Sequence, residues 1–293
     1  MPLGALALVL LAGVIHASWN IAAKKAGGDV RFAAFTTVIL CVAWAPLGLW
    51  LAWEVLPSWG MREWGLLAAS AFLHSIYYLT LLRGYRKAEL TVVYPLARGS
   101  GPLLSSLAAV LLLGEQLSAL GALGIAGVVG GVFLIAGGPV LWRRSRDPLE
   151  RVRVRKGVVY GVLTGAFIAG YTVVDGYAVK VLLISPILLD YIGALLRLFL
   201  VVPPALRDLE ETKRHWLAQW KYALFVGVLS PVSYVLVLYA MRTAPLSHVA
   251  PAREVSMLFA ALIGGQMLGE KDRGIRVLGA FCIGAGVMAL ALG

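Results

Sequence analysis

The chain has 293 residues, of which 60% are hydrophobic and 14% charged, against about 45–50% and about 25% in soluble domains. Too few polar groups are present to cover a soluble domain of this size, so the sequence predicts an integral membrane protein. The lack of period-2 alternation argues against an outer-membrane barrel. The net charge of +11 does not mark a nucleic-acid binder, because Lys and Arg sit between hydrophobic runs and form no aromatic-interleaved face.

In chain order the apolar runs predict ten helices, over 3–23, 32–53, 64–86, 89–112, 118–141, 157–179, 186–205, 218–241, 246–267 and 274–292. Only helices and closed barrels satisfy the backbone in lipid, so the expected fold class is all-α and polytopic. The first run has no basic residue ahead of it and no small-x-small site closing it, which predicts a span and not a cleavable signal peptide. Two longer polar stretches interrupt the pattern, WRRSRDPLERVRVRK at 142–156 and RDLEETKRHW at 207–216. The first lies near the midpoint and divides the chain into a five-helix unit at 1–141, a basic linker at 142–156 and a second five-helix unit at 157–293.

The two units repeat. Pro95-Leu96-Ala97-Arg98 stands against Pro251-Ala252-Arg253, and Gly114-Glu115 against Gly269-Glu270. Upstream, Tyr78, Arg86 and Ala88 meet Tyr234, Arg242 and Ala244. Five spans is an odd number, so the second unit is expected to enter the membrane inverted relative to the first. Inverted repeats characterise secondary transporters, whose site lies between the repeats near the midplane. Lys and Arg crowd the first, third, fifth, seventh and ninth predicted loops, which places those loops in the cytoplasm and both termini outside a cell (inner) membrane.

Polar side chains deep in a span face the bundle interior or a wet cavity, because exposing them to lipid is costly. The fourth span carries Tyr94, Arg98, Ser100 and Ser105, and the ninth carries His248, Arg253, Glu254 and Ser256. Arg98 and Arg253 are repeat equivalents too deep to snorkel easily, and a guanidinium fork facing a cavity suits a carboxylate or phosphate. The alternative is an internal ion pair such as Arg98 with Glu254. Arg253 and Glu254, adjacent on a helix, are expected to point about 100° apart and to need separate partners. His16, Trp19 and Asn20 on the first span, His74, Tyr77 and Tyr78 on the third, Tyr171, Thr172 and Asp175 on the sixth and Ser230, Pro231, Ser233 and Tyr234 on the eighth form a polar-aromatic set. His16 with Asn20 and His74 with Tyr78 are four apart and share a face. Such a set suits a molecule with an apolar body and a polar head, although each side chain alone could equally satisfy a nearby backbone group. The candidate binding residues are His16, Trp19, Asn20, His74, Tyr78, Arg98, Tyr171, Tyr234, Arg253 and Glu254.

Asp175 and Asp190 stand near predicted span ends and are expected to face loop water, while Arg197 lies inside a span without an assigned role. Glu115 and Glu270 are expected to cap the helix that follows each. Pro95, Pro231 and Pro251 are expected to kink spans or free carbonyls. Gly121, Gly124, Gly127, Gly130, Gly131 and Gly137 on the fifth span, with Gly279, Gly284 and Gly286 on the tenth, provide small-residue faces for close helix packing, of one span on the other or at a subunit contact. Cys41 and Cys282 are expected to be free thiols. No motif of an enzyme, nucleotide site or metal site is present, so no cofactor or metal is expected and the chain reads as a non-enzyme.

Ten spans in two inverted halves, polar breaks in the fourth and ninth, and a Gly-Glu turn before each glycine-rich fifth helix resemble the drug/metabolite transporter superfamily. The resemblance extends to its EamA-type exporters and the YddG-like amino-acid exporters among them. It implies a basket of helices around a central cavity, with the fifth and tenth as a supporting pair, and cytoplasmic termini, opposite to what the charges predict. It also implies export of amino acids, aromatic or hydrophobic ones favoured, and related small metabolites by alternating access. The expected partners are a small-molecule substrate and the lipid bilayer, with no nucleic acid, for a monomer or homodimer. The alternative is a membrane-embedded enzyme or flippase acting on a lipid-linked substrate.

Overall fold

The computed structural model describes residues 1–27, 29–88, 90–135, 148–265 and 273–293. Among these residues the chain is helical and contains no strand. The helices are α1 (Leu3–Ala26), α2 (Val30–Ala43), α3 (Ala45–Val55), a single 3-10 turn at Leu56–Ser58, α4 (Met61–Lys87), α5 (Leu90–Leu113), α6 (Ala119–Ile135), α7 (Pro148–Lys180), α8 (Pro186–Leu206), α9 (Leu209–Thr243), α10 (Leu246–Ala252), α11 (Val255–Gly265) and α12 (Arg273–Leu292). Six of them, α1, α4, α5, α7, α8 and α9, are long and apolar enough to cross a membrane. The bent pair α2 and α3 counts as a seventh if it is one span, and α6 and the apolar part of α12 are shorter.

Two predicted spans are broken. The run over 32–53 bends by 63° between α2 and α3. The cause is Pro46 in the first turn of α3: it lacks an N–H, and its ring opposes the carbonyl four residues back. The run over 246–267 divides into α10 and α11 at Arg253–Glu254. Pro251 leaves the Ser247 carbonyl without its helical donor, and the Ser106 hydroxyl of α5 supplies one at 2.9 Å. Past that point the bonds tighten to three-residue spacing, from Glu254 N–H to Pro251 O and Met257 N–H to Glu254 O.

Two other helices start earlier than apolar content predicts. α9 begins at Leu209 because Asp208 caps it, accepting from the Glu211 N–H at 3.0 Å, with Glu210 and Glu211 in the first turn; acidic groups favour a helix N-terminus. α7 begins at Pro148, a residue suited to the first helical position, so 148–156 of the expected linker is helix. Residues 142–147 of that linker and the Gly269-Glu270 turn lie outside the described residues.

The chain interleaves its halves. α1 packs on α9 and α11, and α7 packs on α4 and α5 in the reciprocal arrangement. α2 meets α8 and α9 while α8 also meets α4, and α6 meets α12. Exchanging the helices of the two halves therefore maps these contacts onto one another. The Met1 ammonium donates to the Ala291 carbonyl at 2.7 Å, so both ends of the chain lie at the same end of the bundle. The α6–α12 contact uses the predicted glycine faces against each other: a Cβ on Gly131 would stand 2.5 Å from the Gly279 carbonyl oxygen, and one on Gly286 2.7 Å from that of Gly124. Large apolar side chains such as Leu111, Phe199 and Phe281 point outward, as bilayer-facing surface requires. Trp50, Trp53 and Trp64 are exposed around the turn from α3 to α4, the place Trp takes at a headgroup interface. Cys41 and Cys282 are free.

Glu115 caps a helix of the opposite half and not the one that follows it. Its carboxylate accepts from the Leu246 N–H at 2.8 Å and the Ser247 N–H at 2.9 Å, and from Lys180 Nζ at 3.2 Å. Burial alone would raise its pKa, but these donors outweigh it and hold it below the ordinary glutamate value of 4.5. A carboxylate favoured by the folded state stabilises the protein above its unfolded pKa and loses that contribution as pH falls through the lower folded value. Glu115→Ala is therefore expected to cost about 1–2 kcal/mol near neutral pH. Thermal melts in detergent should show the gap to wild type closing as pH drops below 4.5.

Candidate functional site

A cavity of about 250 Å³ opens between the halves, lined from α1 by His16 and Trp19, from α4 by His74 and Tyr77, from α5 by Arg98, from α7 by Tyr171, from α8 by Asp190 and Arg197, from α9 by Ser230, Ser233 and Tyr234, and at the α10–α11 break by Arg253 and Glu254. A second lobe of about 170 Å³ shares His16, Trp19, Tyr77 and Arg98 and adds Asn20, Tyr85 and Tyr94. Nine of the ten predicted binding residues thus line one lobe or the other.

Tyr78 does not. Its hydroxyl donates to the Asp29 carbonyl at 3.4 Å beyond the end of α1. The stripe that α4 turns to the cavities runs through His74, Tyr77, Leu81 and Tyr85, in steps of three and four, which leaves Tyr78 off to one side. Asn20 reaches the second lobe while donating to the His16 carbonyl at 2.8 Å.

The helix break places the charges. Arg98 Nη2 stands 2.8 Å from Glu254 Oε2, and Arg253 Nε stands 3.6 Å from Glu254 Oε1. Both guanidiniums therefore share one carboxylate that is only 1% exposed. The expectation that Arg253 and Glu254 diverge is overturned, because the backbone leaves the helical path at this pair. The Arg98–Glu254 ion pair exists, and Arg98 Nε still has no hydrogen-bond partner among the described residues.

An aromatic wall faces these cations. Arg253 lies 5.9 Å over the Tyr171 ring, within reach of its negative face. His74 stacks on Tyr171 at 3.9 Å, and Tyr77 meets Tyr171 edge-on at 5.7 Å. On the opposite side His16 contacts Trp19 at 4.6 Å, and Trp19 Nε1 donates to Ser233 Oγ at 3.1 Å, pinning α1 to α9.

Asp175 and Asp190 do not face loop water. Asp175 is fully buried and Asp190 is 8% exposed. Asp175 accepts from the Tyr234 hydroxyl, and Asp190 pairs with Arg197 at 3.5 Å. Nearness to a helix end misleads here because neighbouring helices cover those ends. The Asp190–Arg197 pair carried a legible signal: residues seven apart share a helix face over two turns, and opposite charges at that spacing inside an apolar run need a common interior.

The family model described as the EamA-like transporter family matches the chain twice, over residues 3–137 and 155–292. The fold is also similar to a solved crystal structure described only as a protein, with a TM-score of 0.74 at 14% identity, covering 98% of this chain and 97% of the other. No curated protein matches the sequence.

Proposed function

We propose, from the premise that the chain belongs to the EamA-like transporter family, that it exports amino acids, aromatic and hydrophobic ones foremost, and related small carboxylates by alternating access. The observation that carries this reading is the pair Arg98 and Arg253 sharing the single carboxylate of Glu254 where the two cavity lobes meet. Three guanidiniums and two carboxylates line the main lobe among the described residues. That excess of one positive charge suits a substrate carboxylate, which a guanidinium binds through charge-assisted hydrogen bonds. Trp19, Tyr77 and Tyr171 supply the apolar wall.

The architecture proposed is ten spans in two inverted five-helix repeats, with α2–α3 and α10–α11 each crossing as a broken span. The double family match, the reciprocal contacts between halves and the meeting of both chain ends support it. Broken spans are where transporters of this kind expose backbone and charge to substrate. Asp190 and the ten residues predicted from sequence, apart from Tyr78, form the binding set. The Lys and Arg distribution orients both termini outside a cell (inner) membrane.

Purified protein in liposomes is expected to carry radiolabelled phenylalanine down its gradient, and excess unlabelled tryptophan or leucine should compete. Phenethylamine, which lacks the carboxylate, should not. Inhibition by phenethylamine as strong as by leucine would refute carboxylate recognition.

A further inference from the structure

Behind the main cavity lies a polar cluster that shares His74, Asp190, Arg197 and Tyr234 with it and adds Ser70 and Asp175, which the carboxylate site does not use. A void of about 10 Å³ is lined by Ser70 and His74 of α4, Asp175 of α7, Asp190, Gly193 and Arg197 of α8, and Tyr234 of α9. It is large enough for at most about one water. His74 and Tyr234 line both this void and the main cavity, so the cluster is one side chain away from where substrate would sit.

The hydrogen-bond pattern here is one proton short. His74 Nδ1 stands 3.0 Å from the Ser70 carbonyl oxygen, which can only accept. Nδ1 therefore carries the hydrogen, and in the neutral ring Nε2 presents a lone pair. That lone pair faces Asp175 Oδ2 at 3.9 Å, so two acceptors meet. The other carboxylate oxygen, Oδ1, is buried without a hydrogen-bond partner among the described residues. The polar groups around Asp175 in this void are Ser70 and His74 from α4, Asp190 and Arg197 from α8 and Tyr234 from α9. Arg98 on α5 is turned to Glu254, and Arg197 is engaged by Asp190, leaving Asp175 with no arginine or lysine of its own among the described residues.

We propose that Asp175, with His74 and Tyr234, is a proton-binding site that couples export to a proton gradient; the coupling rests on the transport reading above, while the proton site stands on the geometry alone. A proton taken from water onto Asp175 turns the His74 contact into a donor–acceptor pair and removes an uncompensated buried charge. Release of that proton to water restores the carboxylate. A zwitterionic substrate held by its carboxylate at Arg98 and Arg253 presents its ammonium to the Tyr234 and His74 side. An ammonium there favours ionised Asp175, so substrate and proton compete, which is the condition for antiport.

Infrared pH titration of the full chain in lipid nanodiscs reads the site with no substrate added. A protonated-carboxyl band should grow as pH falls, be lost in Asp175→Asn, and shift in frequency in Tyr234→Phe, which keeps the ring and removes the donor. The same band in Asp175→Asn, or no shift in Tyr234→Phe, overturns the proton site even where one variant folds poorly. In liposomes, Asp175→Asn mimics the protonated site, so phenylalanine counterflow should persist with a raised KM that no longer varies with pH, while uphill accumulation driven by a pH gradient is lost. Retained accumulation overturns the coupling. Absence of all phenylalanine flux from wild type, with the infrared band intact, refutes the substrate reading and leaves the proton site standing.

Discussion

Arg253→Ala is expected to lower phenylalanine flux in liposomes by about 10- to 100-fold while leaving the thermal melt close to wild type. On the proposed reading, the flux loss follows from removing a charged hydrogen-bond partner of the substrate carboxylate, worth about 1.5–3 kcal/mol. The fold survives because Glu254 keeps Arg98 at 2.8 Å. Arg98→Ala behaves differently. Among the described residues it leaves the Glu254 carboxylate, 1% exposed, with only the 3.6 Å ion-pair contact to Arg253, and breaking a buried pair from one side costs about 3–5 kcal/mol. Low yield and an early melt are expected. The double variant Arg98→Ala with Glu254→Ala removes the stranded carboxylate but takes the acid from Arg253 as well, so it should recover only part of the stability and none of the flux. Wild-type flux in Arg253→Ala, or full flux in the double variant, would confine these arginines to a structural role.

Gly131→Val is expected to be among the most destabilising single changes. The α6 and α12 backbones meet so closely that a Cβ at 131 would lie 2.5 Å from the Gly279 oxygen and 2.8 Å from the Ile283 nitrogen. Backbone cannot swing aside as a side chain can, so the helices must separate, and overpacking of this sort costs about 1–3 kcal/mol or more. Gly130 is the control: a Cβ there meets nothing within 4 Å, and Gly130→Val should melt as wild type does. Equal melting of the two variants in detergent would mean that the small-residue contact does not hold the halves together. The apposition itself was legible in sequence as small residues at spacings of three and four on two helices. Whether they met each other or a second subunit was not, because spacing defines a face and not its partner.

The comparison of sequence with structure divides along the same line elsewhere. Most helices were legible, since an apolar run in lipid has no other way to satisfy its backbone. Their polar extensions at Pro148 and Leu209 were not, because hydropathy is blind to a charged helical turn outside the bilayer. The aromatic and arginine positions of the cavity followed from the cost of polar groups in spans. Tyr77 in place of Tyr78, and the burial of Asp175 and Asp190, depended on how neighbouring helices tilt and cover one another.

From its sequence the chain thus determined that it is a bundle of membrane-length helices with guanidinium groups in its interior and a duplicated pattern in its two halves, because hydration free energy acts on each residue separately and along the chain. Tertiary structure alone decided that Arg98 and Arg253 meet over Glu254, that Glu115 caps α10 from the other half, and that Asp175 faces His74 Nε2. Those pairings join residues far apart in the chain, and their partners are fixed by packing and by the break at Arg253–Glu254, which no local pattern encodes.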